Sequence, residues 1–129
     1  MTTFREAVEA RDLAAAEALL ADDVVFRSPV AHKPYPGKAI TAAILRAVIE
    51  VFTDFRYVRE LHDGADHVLI FEAKVEGLDV TGCDILRYDE DGRIADFMVM
   101  VRPLRAAEAL ARQMGERFEQ IQAQAIANS

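Results

Sequence analysis

Ala21-Asp-Asp-Val-Val-Phe-Arg-Ser-Pro-Val30, directly after Asp12-Leu-Ala-Ala-Ala-Glu-Ala-Leu-Leu20, is where a helical pattern gives way to a strand. Asp12 can accept from the free N–H groups that open a helix, and Leu13, Ala16, Leu19 and Leu20 then recur on one face. The adjacent carboxylates Asp22 and Asp23 are expected to stop that helix at Ala21. Val24 to Arg27 is β-branched and aromatic enough for a short strand. Upstream, Thr2 or Thr3 caps a first helix, with Glu6 placed to return the interaction if Thr3 is the cap. Downstream, Pro29, Pro34 and Pro36 keep the chain irregular, since each ring removes a backbone donor. Gly37 then releases the chain into a helix over Lys38 to Val51, where Ile40, Ile44, Val48 and Val51 keep three- and four-residue spacing.

From Phe55 the period changes to two. Strands are predicted over Phe55 to His62, His67 to Glu76, Asp79 to Tyr88 and Arg93 to Arg102, with Asp63-Gly64, Gly77 and Asp91-Gly92 in the turns. Pro103 closes the last strand and can sit in the first turn of a final helix. Its apolar stripe is Ala107, Leu110, Met114, Phe118 and Ile121. Helices first and consecutive strands afterwards argue for an α+β domain with an antiparallel sheet. Residues 1–129 read as a single domain, with 103–127 a C-terminal helical extension.

Alternation assigns faces. Leu69, Phe71, Ala73 and Val75 share one side of their strand, and Ala95, Phe97, Val99 and Val101 share one side of theirs. These are expected to face the helices. The opposite side carries Thr81, Cys83, Ile85, Met98 and Met100, too apolar for a solvent face, so a second copy of the chain is the expected cover.

Composition narrows the function classes. With 52% hydrophobic residues in 129, the chain can bury one core without staples. A lone cysteine, Cys83, excludes an internal disulfide. The net charge is −7 and the basic residues are scattered, so the stripe that would neutralise nucleic-acid phosphates is missing. No apolar run reaches the roughly 20 residues of a membrane span, and the N-terminus has no apolar signal segment, so the expected location is the cytoplasm. High Ala and Arg with little Lys suggests a GC-rich bacterial gene. The three histidines show no metal-ligand spacing, and no metal is expected.

Asp84 is the main candidate for chemistry. It stands between Gly82 and Leu86 on its side of the strand and should point inward. A carboxylate in an apolar cavity is costly to ionise, so it can serve as acid, base or neutral donor. The alternative is a structural acid paired to backbone or to an arginine. His32, in the Pro-rich loop beside Tyr35, either pairs with Asp84 or stands exposed. His62 and His67 flank a turn and are expected to be solvated. Ser28 is a pocket hydroxyl or strand-end cap, without a nucleophile elbow around it.

The two informative runs are the one around Asp22-Asp23 and Gly82-Cys-Asp-Ile-Leu-Arg-Tyr-Asp-Glu-Asp-Gly-Arg-Ile94. Together they resemble the NTF2-like superfamily, and within it the SnoaL-like and ketosteroid-isomerase-like branch. That resemblance implies a cystatin-like cone: a curved antiparallel sheet wrapped around N-terminal helices, here with an extra C-terminal helix. It also implies a pocket for a small hydrophobic organic ligand, no cofactor, and a homodimer. The isomerase branch pairs a helix tyrosine with a base aspartate and a protonated aspartate. Phe4 stands at the tyrosine, Ser28 at the base and Asp84 at the remaining acid. Conventional steroid isomerase chemistry is therefore not expected, whereas a polyketide-cyclase-like, isomerase-like or hydrolase-like reaction needs only the one aspartate. A non-catalytic ligand-binding or protein-interaction dimer is the alternative. Phe4, Phe26, Ser28, Tyr57, Leu69, Phe71, Phe97 and Val99 are expected to line the pocket. The tail is expected to pack against the body of the dimer, with a lid over the cone as the alternative.

Overall fold

A computed structural model describes residues 2–129. Five helices and six strands stand among these residues: α1 Phe4–Glu9, α2 Leu13–Ala18, β1 Leu20–Arg27, β2 Tyr35–Pro36, α3 Lys38–Val51, β3 Thr53–Asp63, β4 Asp66–Val75, β5 Leu78–Tyr88, β6 Ile94–Arg102, α4 Leu104–Glu116 and α5 Phe118–Ala127. Thr3 caps α1 through a reciprocal interaction with Glu6, and the Asp12 side chain accepts from the Ala15 N–H to open α2. The helix predicted over Lys38 to Val51 has those bounds.

The order β2-β1-β6-β5-β4-β3 makes one sheet. Strands β3 to β6 are a meander, each antiparallel to the next. The sheet is not purely antiparallel as predicted, because β1 lies parallel to β6. A parallel pair needs a long crossover, and here the crossover is α3 together with the whole meander. Next to β1, the stretch read as irregular supplies a two-residue strand, pairing Val25 with Pro36 and Phe26 with Tyr35.

Asp22 and Asp23 do not end the helix. It ends at Ala18, and both acids lie inside β1, exposed, while Leu20, Ala21 and Val24 are buried. The register of β1 on β6 shifts between Leu20 and Val25. This irregularity gives the two carboxylates a solvent-facing stretch between buried Ala21 and Val24.

On the inner face, Leu69, Phe71, Ala73 and Val75 are buried, as are Val80, Gly82, Asp84 and Leu86. Gly82 is required there. A Cβ at this position would meet Phe71 Cζ at 2.4 Å and the Met100 carbonyl at 2.7 Å, so Phe71 lies over the glycine paired with it in register. In β6, Ile94 is buried with Phe97 and Ala95 is not. A shift of register between Arg87 and Tyr88 moves Ile94 inward, which strict alternation cannot foresee.

The tail differs most from expectation. It forms two helices, broken at Arg117, whose guanidinium donates to the Gln113 carbonyl (3.1 Å) and to Gln113 Oε1 (2.9 Å). Cationic donors at a helix C-terminus satisfy its free carbonyls. Both helices pack on their own chain: Ala106, Ala109 and Leu110 of α4 and Ile121 of α5 belong to the core. α5 lies against α3, and Phe118 meets Tyr35 at 6.3 Å between ring centres. Part of the apolar surface of the tail is thus buried on its own chain, while Leu104 and Ile126 remain exposed.

Candidate functional site

The sheet and helices enclose a cavity of about 260 Å³. α1 and α2 give it Phe4, Val8, Leu13 and Ala16. α3 gives Ile40, Ile44, Leu45, Val48 and Ile49, and the tail gives Leu110, Met114, Phe118 and Ile121. The sheet adds an aromatic wall. Phe55 stacks on Phe71 at 4.9 Å and meets Tyr57 edge-on at 5.0 Å, while Phe97 packs against Phe4 at 5.4 Å and Phe26 at 5.5 Å. Such aromatic pairs hold rings in fixed relative orientation, so this wall is preformed.

One acid faces this lining. Asp84 is 6% exposed. Its Oδ2 accepts a 2.6 Å hydrogen bond from the hydroxyl of Tyr57, itself 5% exposed. Oδ1 accepts no hydrogen bond among the described residues, yet it is not sealed off. It is the free polar atom at the wall. Loss of water pushes the Asp84 carboxyl up to about 7, against the opposing effect of the Tyr57 hydrogen bond, which favours the ionised form. Burial, with the Asp84 charge beside it, raises the Tyr57 phenol well above its ordinary value. Near neutral pH the carboxyl therefore exists in both protonation states. It can take a proton from a ligand or donate one.

The remaining predicted residues fall as follows. Phe4, Phe26, Ser28, Tyr57, Phe71, Phe97 and Val99 line the cavity with Asp84. Leu69 does not. It is buried in the core, opposite Asp84 in the β4–β5 register, with its side chain taken up by packing. His32 does not reach Asp84 either. It is exposed on a separate shallow surface concavity with Arg27 and Met98, because the loop after β1 carries it to the outer side. Ser28 Oγ accepts from the Val30 N–H at 3.1 Å, the strand-end role. His62 and His67 are not simply solvated: cross-strand partners, they stack at 3.8 Å, and His67 meets the Tyr88 ring at 4.6 Å. Burial and the nearby His62 hold His67 below its usual value. Among the described residues no cluster of His, Cys, Asp or Glu could hold a metal ion, and no helix is long and apolar enough to cross a membrane.

Sequence reading missed the partner of Asp84. Tyr57 and Asp84 are 27 residues apart on β3 and β5, with β4 between them. The usable signal was the alternation of β3, which puts Tyr57 on the inner face. A shift in the pairing of β3 on β4 between Tyr57 and Arg59 breaks that alternation just beyond it.

Comparison with known proteins supplies the family. The model of the SnoaL-like domain matches residues 1–97. A steroid delta-isomerase structure from Pseudomonas aeruginosa is 46% identical, over 91% of this chain and 87% of that one, with a TM-score of 0.84. A bacterial protein of cystatin-like fold from Silicibacter pomeroyi is 39% identical over 88% and 81%, also with a TM-score of 0.84. An NTF2-like protein of unknown function from Mesorhizobium loti is 20% identical over 78% and 85%, with a TM-score of 0.68, a likeness of fold alone. No functionally curated protein matches the chain. The matched segment carries α1 to α3, β1 and the Asp84 strand, and the chain belongs to the SnoaL-like domain family, on an NTF2-like, cystatin-like α+β fold.

Proposed function

We propose that the chain binds a small, mainly apolar organic molecule inside the cone, and that Asp84 acts on it as an acid–base group. The observation that carries this reading is the isolated carboxyl: Asp84 lines an apolar cavity of about 260 Å³, is 6% exposed, and has one hydrogen-bond partner, Tyr57, among the described residues. A group so placed is matched to proton transfer near neutral pH, where both of its forms are populated. Tyr57 holds the carboxylate on one oxygen and leaves the other toward the ligand. The reaction class is proton transfer at or beside a carbonyl, as an isomerase or cyclase of a hydrophobic substrate requires. The name of the Pseudomonas relative is compatible with that class. Phe4 can neither donate nor accept a proton, and the Ser28 oxygen is engaged by Val30, so the three-group arrangement of the ketosteroid isomerases is not proposed.

The test is exchange of the α-protons of a neutral ketone, β-tetralone, for deuterium, followed by proton NMR. Wild type should accelerate exchange with a rate that rises with pH through about 7, since the ionised carboxyl is the base. Asp84→Asn should bind the ketone and lose the acceleration. Equal exchange by both proteins would end the catalytic reading.

A second reading is a binding module without catalysis, in which Asp84 only orients the ligand. What favours it is that Asp84 is the single carboxylic acid among the described lining residues, so no second carboxyl stands across the cavity. Binding of the ketone without exchange would select it.

For the assembly we infer a homodimer through the outer sheet face. Met100 is 50% exposed there, beside partly buried Cys83, Ile85 and Met98. Such a face on a sheet already covered on its other side calls for a partner. Sedimentation should give about twice 14.3 kDa, and Met100→Asp should shift it toward the monomer. Residues 1–129 would act as one domain with 103–127 closing the cone, in the cytoplasm.

A further inference from the structure

We infer that α5, through Phe118 and Ile121, sets an upper size limit on the ligand, and that the cavity takes a neutral molecule of about two fused rings and excludes one of four. The inference rests on the reading of the cavity as a ligand site and adds which ligands it admits.

Size comes from volume. An apolar cavity of about 150 Å³ is filled by a single benzene ring. The cavity here, about 260 Å³, is less than twice that. A two-ring skeleton fits inside the lining, and a four-ring skeleton would have to displace a wall or leave apolar surface in water at the open mouth. Most of the walls cannot move cheaply. The sheet side is a set of interlocked aromatic rings, with Phe71 pinned over Gly82 and against Phe52 at 5.5 Å. α3 is a single helix of 14 residues buried along one side.

The tail is the exception. α4 is tied to the β4–β5 turn by Arg112 and Gln113, each 2.7 Å from the Glu76 carboxylate. α5 begins after the break at Arg117 and has no comparable tether. Its first residue, Phe118, is partly buried, and the nearest ion pair, Arg117 to Glu50, is long at 3.9 Å. α5 is held instead by packing along α3 with Ile121 in the core, and Phe118, partly buried at its start, bounds the cavity there. The helix also lies beyond residue 97, where the match to the family model ends.

Neutrality comes from the lining. Among its described residues there is no Lys, Arg or His, and Asp84 is the one carboxyl. An anionic ligand would be desolvated with no cation to meet it, beside a group that is itself negative once ionised. A neutral carbonyl loses little on entry and can accept from protonated Asp84.

The experiment is equilibrium binding by calorimetry to the full chain, with three probes: β-tetralone, its anionic analogue tetralin-2-carboxylate, and progesterone, a neutral four-ring ketone. Progesterone buries more apolar surface and would bind tighter wherever it fits. The expected result for wild type is the reverse, with progesterone at least about tenfold weaker than β-tetralone, since misfit in a hydrophobic pocket discriminates on this scale. Phe118→Ala should restore progesterone binding, and Phe118→Trp should weaken β-tetralone as well. Circular dichroism melts show whether each variant is folded. Ile121→Ala makes the same enlargement independently if a Phe118 variant is not.

Progesterone binding to wild type as tightly as β-tetralone overturns the size limit and leaves the ligand site standing. A preference for the carboxylate overturns neutrality. If none of the three probes binds, the ligand-site reading falls and the inference falls with it.

Discussion

Tyr57 stands between two carboxyl groups with opposite behaviour. Its hydroxyl donates to Asp84 inside the cone, and its backbone carbonyl accepts at 3.3 Å from Arg5, which also reaches Glu60 at 3.4 Å on the outside. Burial raises Asp84, and the single phenol does not offset it. Burial is the largest single influence on Glu60 and pushes it up, but hydrogen bonds from His62 and Arg5, with their charges, together hold it below its usual value. Both acids lie beside the same strand residue in space, yet one is kept ready to change its charge and the other is kept charged. The difference is the presence of cations and water, not residue type.

The largest effect should follow from removing the inner acid. Asp84 rises from 3.8 to about 7, equivalent to about 4 kcal/mol. A carboxyl raised in the folded state stabilises the fold fully at pH below 3.8 and loses that contribution as pH rises through about 7. Thermal melts of wild type should fall over that window, and those of Asp84→Asn should not. Identical pH dependence in the two proteins would mean that Asp84 is not desolvated.

Next in size is the floor on which the ring pair rests. Gly82→Ala puts a methyl 2.4 Å from Phe71 Cζ, an overpacking that costs about 1–3 kcal/mol by chemical denaturation. Phe71 itself lines the cavity, so β-tetralone binding should weaken in parallel. Unchanged stability would show that the strands separate easily at this point.

A smaller effect is expected at the link itself. Tyr57→Phe removes the hydrogen bond that favours the ionised acid, at a cost of about 1 kcal/mol. The midpoint of the exchange rate should move to higher pH. A midpoint that stays in place would remove Tyr57 from the acid–base pair.

The outer acid should matter least. Glu60 contributes stability that is present above its ordinary value of 4.5 and is lost as pH falls through its lowered value. Its partners are partly exposed, so Glu60→Gln should cost no more than about 0.5 kcal/mol at neutral pH. Raising the salt concentration should shrink the difference further. A loss as large as that of Gly82→Ala would place Glu60 in the structural core of the site.

Much of the local architecture was legible in residue order. Thr3 and Asp12 cap helices because a side-chain oxygen reaches N–H groups two or three residues away, and α3 follows from its apolar period. The inward direction of Asp84 follows from strict alternation along β5. Where alternation was interrupted, at Asp22-Asp23 and at Ile94, reading by period went wrong, because a shift of register depends on the neighbouring strand. The tail stripe was visible as amphipathic, but one helix was expected where two are found.

Within the span of a few residues, then, the chain carries its own instructions: caps, periods, turns at Asp91-Gly92, and an acid set among apolar neighbours. Covalent spacing alone places those groups, so no partner segment is needed to read them. The pairing of Tyr57 with Asp84, the parallel contact of β1 with β6, and the folding of α5 onto α3 join residues far apart in the chain. Their free energy exists only once the sheet has curved and water has left the cone. The raised pKa of Asp84 belongs to the same class. An aspartate is written in the sequence, but the removal of its solvent is a property of every element packed around it.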